Sequence, residues 1–310
     1  MNVTELPNPI DLIPVISRLN KDTKLAAQRL TPREARYLCD LYYQMQDQRI
    51  RAAHQDRAMS DESEPSSVFA WLRGQSETLE SRVQTLLDAY SKGHRIGRWM
   101  RSVTGIGPVI AAGMIAHLDV GKAPTPGHFF SFAGLSPDQK WAKGQKRPWN
   151  ARLKVLCWKL GESFVKSQGI DGSFYGPLYA KRKAYEWDRN LKGENANAAS
   201  DKSDRFGDDT NAKLWYTGQI NPEWARMVLD GGKPFPQSIP ENARVKNGTR
   251  MIPPAHVHAR ATRWTVKLFL SHLHQRWWEF SNPGRAYPCT PYAIAHLGHM
   301  HMIEAPEAVE

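Results

Sequence analysis

Apolar residues recur at three- and four-residue intervals along most of this chain, the spacing typical of amphipathic helices. One such stripe follows Thr31 and predicts a helix that ends near Met59. Its start is marked by Thr31-Pro32-Arg33-Glu34, in which the threonine and the glutamate have the spacing of a capping box. A second stripe predicts a helix from about Val68 to Tyr90. An acidic polar turn separates the two, so we predict an antiparallel, coiled-coil-like helical hairpin; two ordinary helices of a bundle are the alternative.

The rest of the chain carries shorter helical patterns and no alternation that predicts a sheet. Asn150 precedes one of the strongest, with Leu153, Leu156 and Leu160 on a single face. Residues 190–212 are polar and poor in apolar side chains, which predicts a flexible loop or a disordered insert. The fold class we expect is all-α. Helices are predicted at residues 108–118, 129–135, 151–165, 174–187, 222–229 and 256–280.

These patterns divide the chain into five segments. We expect an N-terminal arm, a helical hairpin, a helical core, a loop-rich insert, and a final core helix with a C-terminal tail. In that order the segments are residues 1–30, 31–95, 96–190, 190–255 and 256–310.

The charge balance narrows the class of partner. The 310 residues carry a formal net charge of +11, which favours a polyanionic partner, although excess Lys and Arg also serve solubility alone. The N-terminus lacks the pattern of a signal peptide, and no apolar run is long enough to span a membrane. We therefore expect a cytoplasmic protein with no membrane partner. The three cysteines have no spacing typical of a disulfide framework or a zinc site.

The sequence Gly105-Ile106-Gly107-Pro108 has the form of a tight turn that opens a helix. In a helix-hairpin-helix, such a turn points backbone amides at a phosphate. A simple turn between two helices has the same sequence form, so the motif alone is weak.

A strongly basic stretch follows this turn. Residues 137–192 contain 13 Lys and Arg but only 5 Asp and Glu. Trp141 and Trp149 lie among glycines and lysines, where they are suited to stack on nucleic-acid bases. Trp158 lies within the Leu156–Leu160 helix, where a core position is the ordinary interpretation. The cations that we expect to contact phosphates are Lys140, Lys143, Lys146, Arg147, Arg152, Lys181, Arg182 and Lys183.

The histidines suggest an alternative to nucleic-acid binding, namely a site for a metal ion. His272 and His274 are two residues apart in a predicted helix, so they cannot face the same way. His296, His299 and His301 are the best metal candidates, but no carboxylate or cysteine at fixed spacing supports them. We expect neither a metal nor a cofactor.

The order of motifs from residue 100 onward resembles the C-terminal domain of the bridge-RNA-guided insertion-sequence transposases. That order is the Gly-Ile-Gly-Pro turn, an Ala-rich helix, Phe132-Ala133-Gly134-Leu135-Ser136-Pro137, a basic stretch and a Leu-rich helix. The similarity continues at residues 173–178 and 181–183, and the helix at residues 263–278 resembles the last helix of that domain. It covers residues 100–190 and 256–280, with an insert between them.

A similar order occurs in the Nop domains of box C/D ribonucleoproteins, in which paired helices precede a small-residue helix, here residues 110–117, and a basic RNA-binding segment. The Nop-containing Tas proteins of tandem-interspaced guide RNA systems join the two resemblances. This implies a protein that binds a guide RNA and reaches target DNA through it, often as a homodimer, here through residues 31–90. It further implies that Gly105, Ile106 and Gly107 present amides to phosphate. Arg260, Arg263 and Lys267 on the final helix would extend the RNA-binding surface.

Two departures bear on catalysis. The transposases begin with a RuvC-like domain that holds metal through carboxylates on strands, whereas residues 1–95 here have a helical pattern. Their serine nucleophile follows the Ala-Gly-Leu motif, but residues 139–152 contain no serine, and Ser136 lies in a turn. We therefore expect an RNA-binding protein without its own nuclease. A transposase or recombinase using Ser136, and a DNA-binding protein without RNA, remain alternatives.

Overall fold

A computed structural model describes residues 19–59, 67–207, 210–290 and 302–307. The described residues form α-helices and no strand, and an isolated antiparallel bridge joins Ile220 to Arg244. The expected all-α class is therefore confirmed. None of the helices is both long and apolar enough to cross a lipid bilayer. The helices are α1 Lys21–Ala27, α2 Pro32–Met59, α3 Ser67–Gly93, α4 Arg95–Ser102, α5 Pro108–His117, α6 Pro126–Phe132, α7 Ala151–Lys166, α8 Tyr175–Leu191, α9 Ala196–Ser203, α10 Asn211–Tyr216, α11 Pro222–Asp230 and α12 Pro254–Ser281.

Some expectations fall outside the described residues. They concern residues 1–18 of the predicted arm, residues 60–66 of the polar turn, and the histidines at positions 296, 299 and 301.

The start of α2 confirms the predicted capping box. The amide of Thr31 donates to Glu34 Oε2 at 2.7 Å, and the amide of Glu34 donates to Thr31 Oγ1 at 3.3 Å. Helices α2 and α3 pack against each other and against α5, and Arg49 Nε lies 2.6 Å from Glu80 Oε2 across the α2–α3 pair. The long hairpin is thus part of a packed helical layer.

The segment at residues 190–212, predicted as a flexible loop, instead contains α9. Its Ala199 is fully buried in a cluster with Trp187, Trp215 and Met251. Asn190 adds a buried polar contact, because its side chain donates to Ile252 O at 2.9 Å and accepts from Ile252 N at 2.9 Å. Aromatic packing and these hydrogen bonds order a segment whose composition is polar.

The chain divides into two compact units. The first contains the described residues up to Lys159 and those from Leu270 onward, and the second contains residues 160–269. The division falls inside α7 and α12. Each unit is described below by itself.

Candidate nucleic-acid interface

In the first unit, the turn between α4 and α5 has the backbone conformation that its glycines predict. Gly105 has a φ of 95°, a left-handed conformation that side-chain-bearing residues rarely adopt. Gly107 is the N-cap of α5, and Pro108 occupies the first turn of that helix. The turn lines an open concavity of about 480 Å³ together with residues 101–104.

Of the residues expected to present amides to phosphate, Ile106 and Gly107 differ in whether their backbone groups are free to do so. The side chain of Ile106 is 3% exposed and its amide donates to Val103 O at 3.0 Å, so neither is available to a phosphate. This corrects the expectation for Ile106. Gly107 has no side chain to cap α5, so the first amides of α5 receive no side-chain cap. Arg101 stabilises the turn, because its guanidinium donates a hydrogen bond to Ile106 O at 2.5 Å.

Residues 137–150, which we call the basic loop, follow α6 and precede α7. Its Lys140, Lys143, Lys146 and Arg147 are all exposed. Within the described part of the chain, none of these four cations forms an ion pair. They therefore present uncompensated positive charge to solvent, as the basic sequence predicts.

Trp141 gives the basic loop a partly ordered aromatic surface. The indole Nε1 donates to Gln145 O at 2.6 Å, and the Arg147 guanidinium lies 5.1 Å from the ring centroid. The indole is 39% exposed. A hydrogen-bonded indole with an exposed ring and a cation beside it is suited to stack on a base.

Trp149 is in a different situation from Trp141. A Cβ at Gly134 would lie 2.7 Å from the Trp149 ring, so the indole packs directly against that glycine, which has a φ of 66°. Lys154 Nζ lies 4.3 Å from the same ring centroid. Both contacts occupy ring surface that stacking on a base requires. The structure thus gives Trp149 a packing role at the end of the basic loop, which differs from the stacking role expected of it.

The end of the basic loop is fixed by Asn150, as its predicted capping role requires. Its Oδ1 accepts from the amides of Arg152 and Leu153, each at 3.0 Å. Arg152 is exposed but forms an ion pair with Asp40 of α2, so its charge is partly compensated. Burial, followed by the positive charges of Arg36 and Arg152, lowers the pKa of the nearby His117 to about 4.

Trp158 is the residue that sequence reasoning missed in this unit. The indole is 61% exposed rather than in the core, and Val155, three residues earlier on α7, is 52% exposed. The helical period already contained this signal, because Leu153, Leu156 and Leu160 define the buried face and place Trp158 on the opposite side. On this outward face Lys159 lies 4.0 Å from the ring centroid of Tyr43.

In the second unit, the basic residues of α8 and α12 meet a single buried carboxylate. Glu186 is 1% exposed and accepts from Arg182 Nε and from Arg260 Nε, each at 2.9 Å. Arg182 also lies over the rings of Tyr185 and Trp264. Both guanidiniums therefore have structural roles, while Lys181 and Arg263 are exposed and Lys183 and Lys267 are half-buried.

Two histidines of α12, His272 and His274, are buried and hydrogen-bonded. His272 Nε2 lies 2.8 Å from Ile303 O, and His274 Nε2 lies 2.7 Å from Ala123 O. Burial lowers the pKa of His272 to about 4 and also lowers the pKa of His274. Among the described residues, no group of three or more His, Cys, Asp or Glu side chains is arranged to hold a metal ion.

Residues 97–154 match the model of the Transposase IS116/IS110/IS902 family, a stretch that covers less than a fifth of the chain. No curated protein and no solved structure matches the chain. The matched stretch runs from α4 through the basic loop into α7, so the resemblance to these transposases is supported there.

Proposed function

We propose that this chain binds a guide RNA in an RNA-guided DNA-targeting system. One observation carries the proposal. The basic loop exposes Lys140, Lys143, Lys146 and Arg147, and none of them is paired with a described carboxylate. Folded proteins usually compensate or disperse such charge, whereas a nucleic-acid surface uses it to neutralise phosphates and release counterions.

The basic loop and α7 would contact RNA in two ways. The cations of the loop would hold backbone phosphates, and the exposed rings of Trp141 in the loop and Trp158 on α7 would stack on unpaired bases. The backbone of Gly107 at the start of α5 would approach a phosphate, because the dipole of that helix favours negative charge there. Lys181, Lys183, Arg263 and Lys267 of the second unit would contact further phosphates.

The guide-RNA role rests on resemblance. The matched residues contain the turn and the basic loop, and the match supports the resemblance to the transposase domain alone. The guide-RNA role itself comes from the resemblance to the Nop-containing Tas proteins. In such a protein, the RNA supplies target sequence by base pairing while the protein binds RNA shape. Pairing of two copies through residues 31–90 belongs to the same proposal.

The direct test is to sequence the nucleic acid that accompanies the purified chain. We expect a discrete small RNA, lost on ribonuclease treatment and retained after deoxyribonuclease treatment. The Lys146→Ala/Arg147→Ala variant, purified in parallel, should retain much less of it. A heterogeneous RNA background or bound DNA alone would contradict the proposal, and the second result would favour DNA binding without RNA.

The family match also favours a second candidate, a transposase or recombinase of the insertion-sequence type. It requires a nucleophile, and Ser136 is the hydroxyl beside the basic loop, half-buried in the turn after α6. The two candidates separate on Ser136→Ala. RNA binding should be unchanged in that variant, whereas strand transfer that the wild type performs and the variant loses would establish the transposase.

A further inference from the structure

The second unit contains a cluster of cations whose members are distant in sequence, because Lys202 lies in the insert and the others lie on α12. Lys202 is on α9, and its Nζ lies 3.3 Å from Nε2 of His256 in the first turn of α12. Arg260 and Arg263 follow His256 at four- and seven-residue intervals, so the three residues share one face of α12. The insert and the final helix thus bring together groups that are more than fifty positions apart in the chain.

The hydrogen bonds of His256 fix its protonation state and the position of Lys202. Burial and the neighbouring cations Lys202, Arg263 and Arg260 lower the pKa of His256 to about 4, with only Glu186 acting against them. The imidazole is therefore neutral near pH 7, and its Nε2 accepts a hydrogen bond from Lys202. The proton is then on Nδ1, which lies 3.3 Å from Tyr216 Oη and donates to it.

The carboxylates around this cluster do not balance its charge. Glu186 is buried and already accepts from both Arg182 and Arg260. Lys202 and Arg263 form no ion pair with the described residues. Three other nearby carboxylates have partners of their own: Glu162 pairs with His258, Asp188 with Lys192, and Glu194 with Arg189. Asp201, on α9, and Asp204, just after it, form no ion pair with a described residue.

Neighbouring cations also act on Lys202 itself. Burial, followed by Arg263, Arg205 and Arg260, lowers the pKa of Lys202. An anion placed between these groups would relieve the repulsion, since each like-charge contact would gain an opposite charge.

We propose that Lys202, Arg260 and Arg263 form a binding site for a phosphate of the RNA backbone, assembled by the insert helix α9 on the face of α12. The Lys202–His256 hydrogen bond positions the lysine, and the Arg260–Glu186 ion pair positions the first guanidinium. Arg263 is exposed and supplies the most accessible donors. The inference rests on the proposed RNA-binding function, and it gives the insert a role in that function.

The test uses a double variant that removes charge without disturbing the buried ion pair. Lys202→Gln/Arg263→Gln leaves Arg260 and Glu186 intact, and the glutamine at position 202 retains a donor for His256. The matched control is Lys246→Gln/Arg226→Gln, which removes one lysine and one arginine from exposed positions of the same unit. Circular dichroism and thermal unfolding should show that both variants fold as the wild type does.

RNA affinity is measured over a range of salt concentrations with the co-purified RNA. We expect the Lys202→Gln/Arg263→Gln variant to bind roughly 25- to 60-fold more weakly near 0.1 M salt, because the slope of log K against log salt should fall by roughly 1.4 to 1.8. The control should keep the wild-type slope. A wild-type slope in the Lys202→Gln/Arg263→Gln variant would overturn the site while leaving the proposed function intact.

A second probe separates failure of this site from failure of the RNA-binding proposal. Sodium tripolyphosphate is titrated against the full-length protein while the His256 imidazole is followed by NMR. A bound anion should raise the pKa of His256 above 4 in the wild type and not in the Lys202→Gln/Arg263→Gln variant. If the wild type binds no RNA but shows this shift, the site stands and the RNA proposal fails; if it shows no shift, the site is refuted.

Discussion

Removing two charges from the basic loop is the sharpest perturbation of the proposed interface. Lys146 and Arg147 are adjacent and exposed, and no ion pair to the described residues competes for them. Arg147 also lies 5.1 Å from the ring centroid of Trp141, so its loss removes the cation that contacts this indole. The double variant Lys146→Ala/Arg147→Ala should therefore weaken binding without changing the fold.

The size of the effect follows from counterion release. Removing one cation that neutralises a phosphate lowers the slope of log K against log salt by roughly 0.7 for single strands and 0.9 for duplex. Removing two such cations changes the slope by roughly 1.4 to 1.8, which near 0.15 M salt amounts to about 2 kcal/mol of binding free energy. Fluorescence anisotropy with the co-purified RNA over a series of salt concentrations measures both quantities.

The matched control removes one lysine and one arginine elsewhere in the same unit. Lys24 and Arg29, in and just after α1, are exposed. Lys24→Ala/Arg29→Ala changes the net charge by the same amount, so it measures the effect of overall charge. If both double variants bind equally weakly and with the same salt slope, the binding reflects total charge, and the assignment of the basic loop is refuted.

Four further outcomes follow from the structure. Trp158→Ala should weaken RNA binding by about 1–3 kcal/mol while thermal unfolding stays close to that of the wild type, because the indole is 61% exposed; unchanged affinity would exclude stacking there. Gly134→Ala should destabilise the protein by about 1–3 kcal/mol in urea unfolding, because a residue with a side chain is strained in the left-handed conformation. The new Cβ would also lie 2.7 Å from the Trp149 ring. Wild-type stability of this variant would show that the indole moves aside freely. Glu186→Gln should cost roughly 3 kcal/mol, since Arg182 and Arg260 lose the buried charge they share; calorimetry that finds no loss would mean that water solvates both guanidiniums. Burial lowers the pKa of His117, His256 and His272 to about 4. Between about pH 6.5 and pH 4 the unfolded chain therefore binds more protons than the folded protein, and the free energy of unfolding should fall as the pH drops through that range. A free energy of unfolding that does not change with pH in urea unfolding would contradict the burial of these side chains.

The sequence by itself determined the elements whose signals are local. The capping box at Thr31 and Glu34, the cap at Asn150 and the left-handed turn at Gly105 are each settled within about four residues, because a cap or a turn satisfies its own backbone groups. Apolar period then placed α2, α3, α5, α7 and α12 close to where they are observed. The exposure of the basic loop also followed from sequence, since a run rich in Lys, Arg and Gly has too little apolar surface to be buried.

Tertiary structure decided whatever depends on partners distant in the chain. The polar segment after Asn190 contains a helix because Ala199 packs with Trp187, Trp215 and Met251, and no local pattern encodes that cluster. Trp149 likewise packs against Gly134 through tertiary structure. Arg182 and Arg260 share the carboxylate of Glu186 for the same reason. Tertiary structure also places Lys202 beside His256. The physical reason is that packing and ion pairing depend on distance in space, whereas helical period and capping depend on distance along the chain.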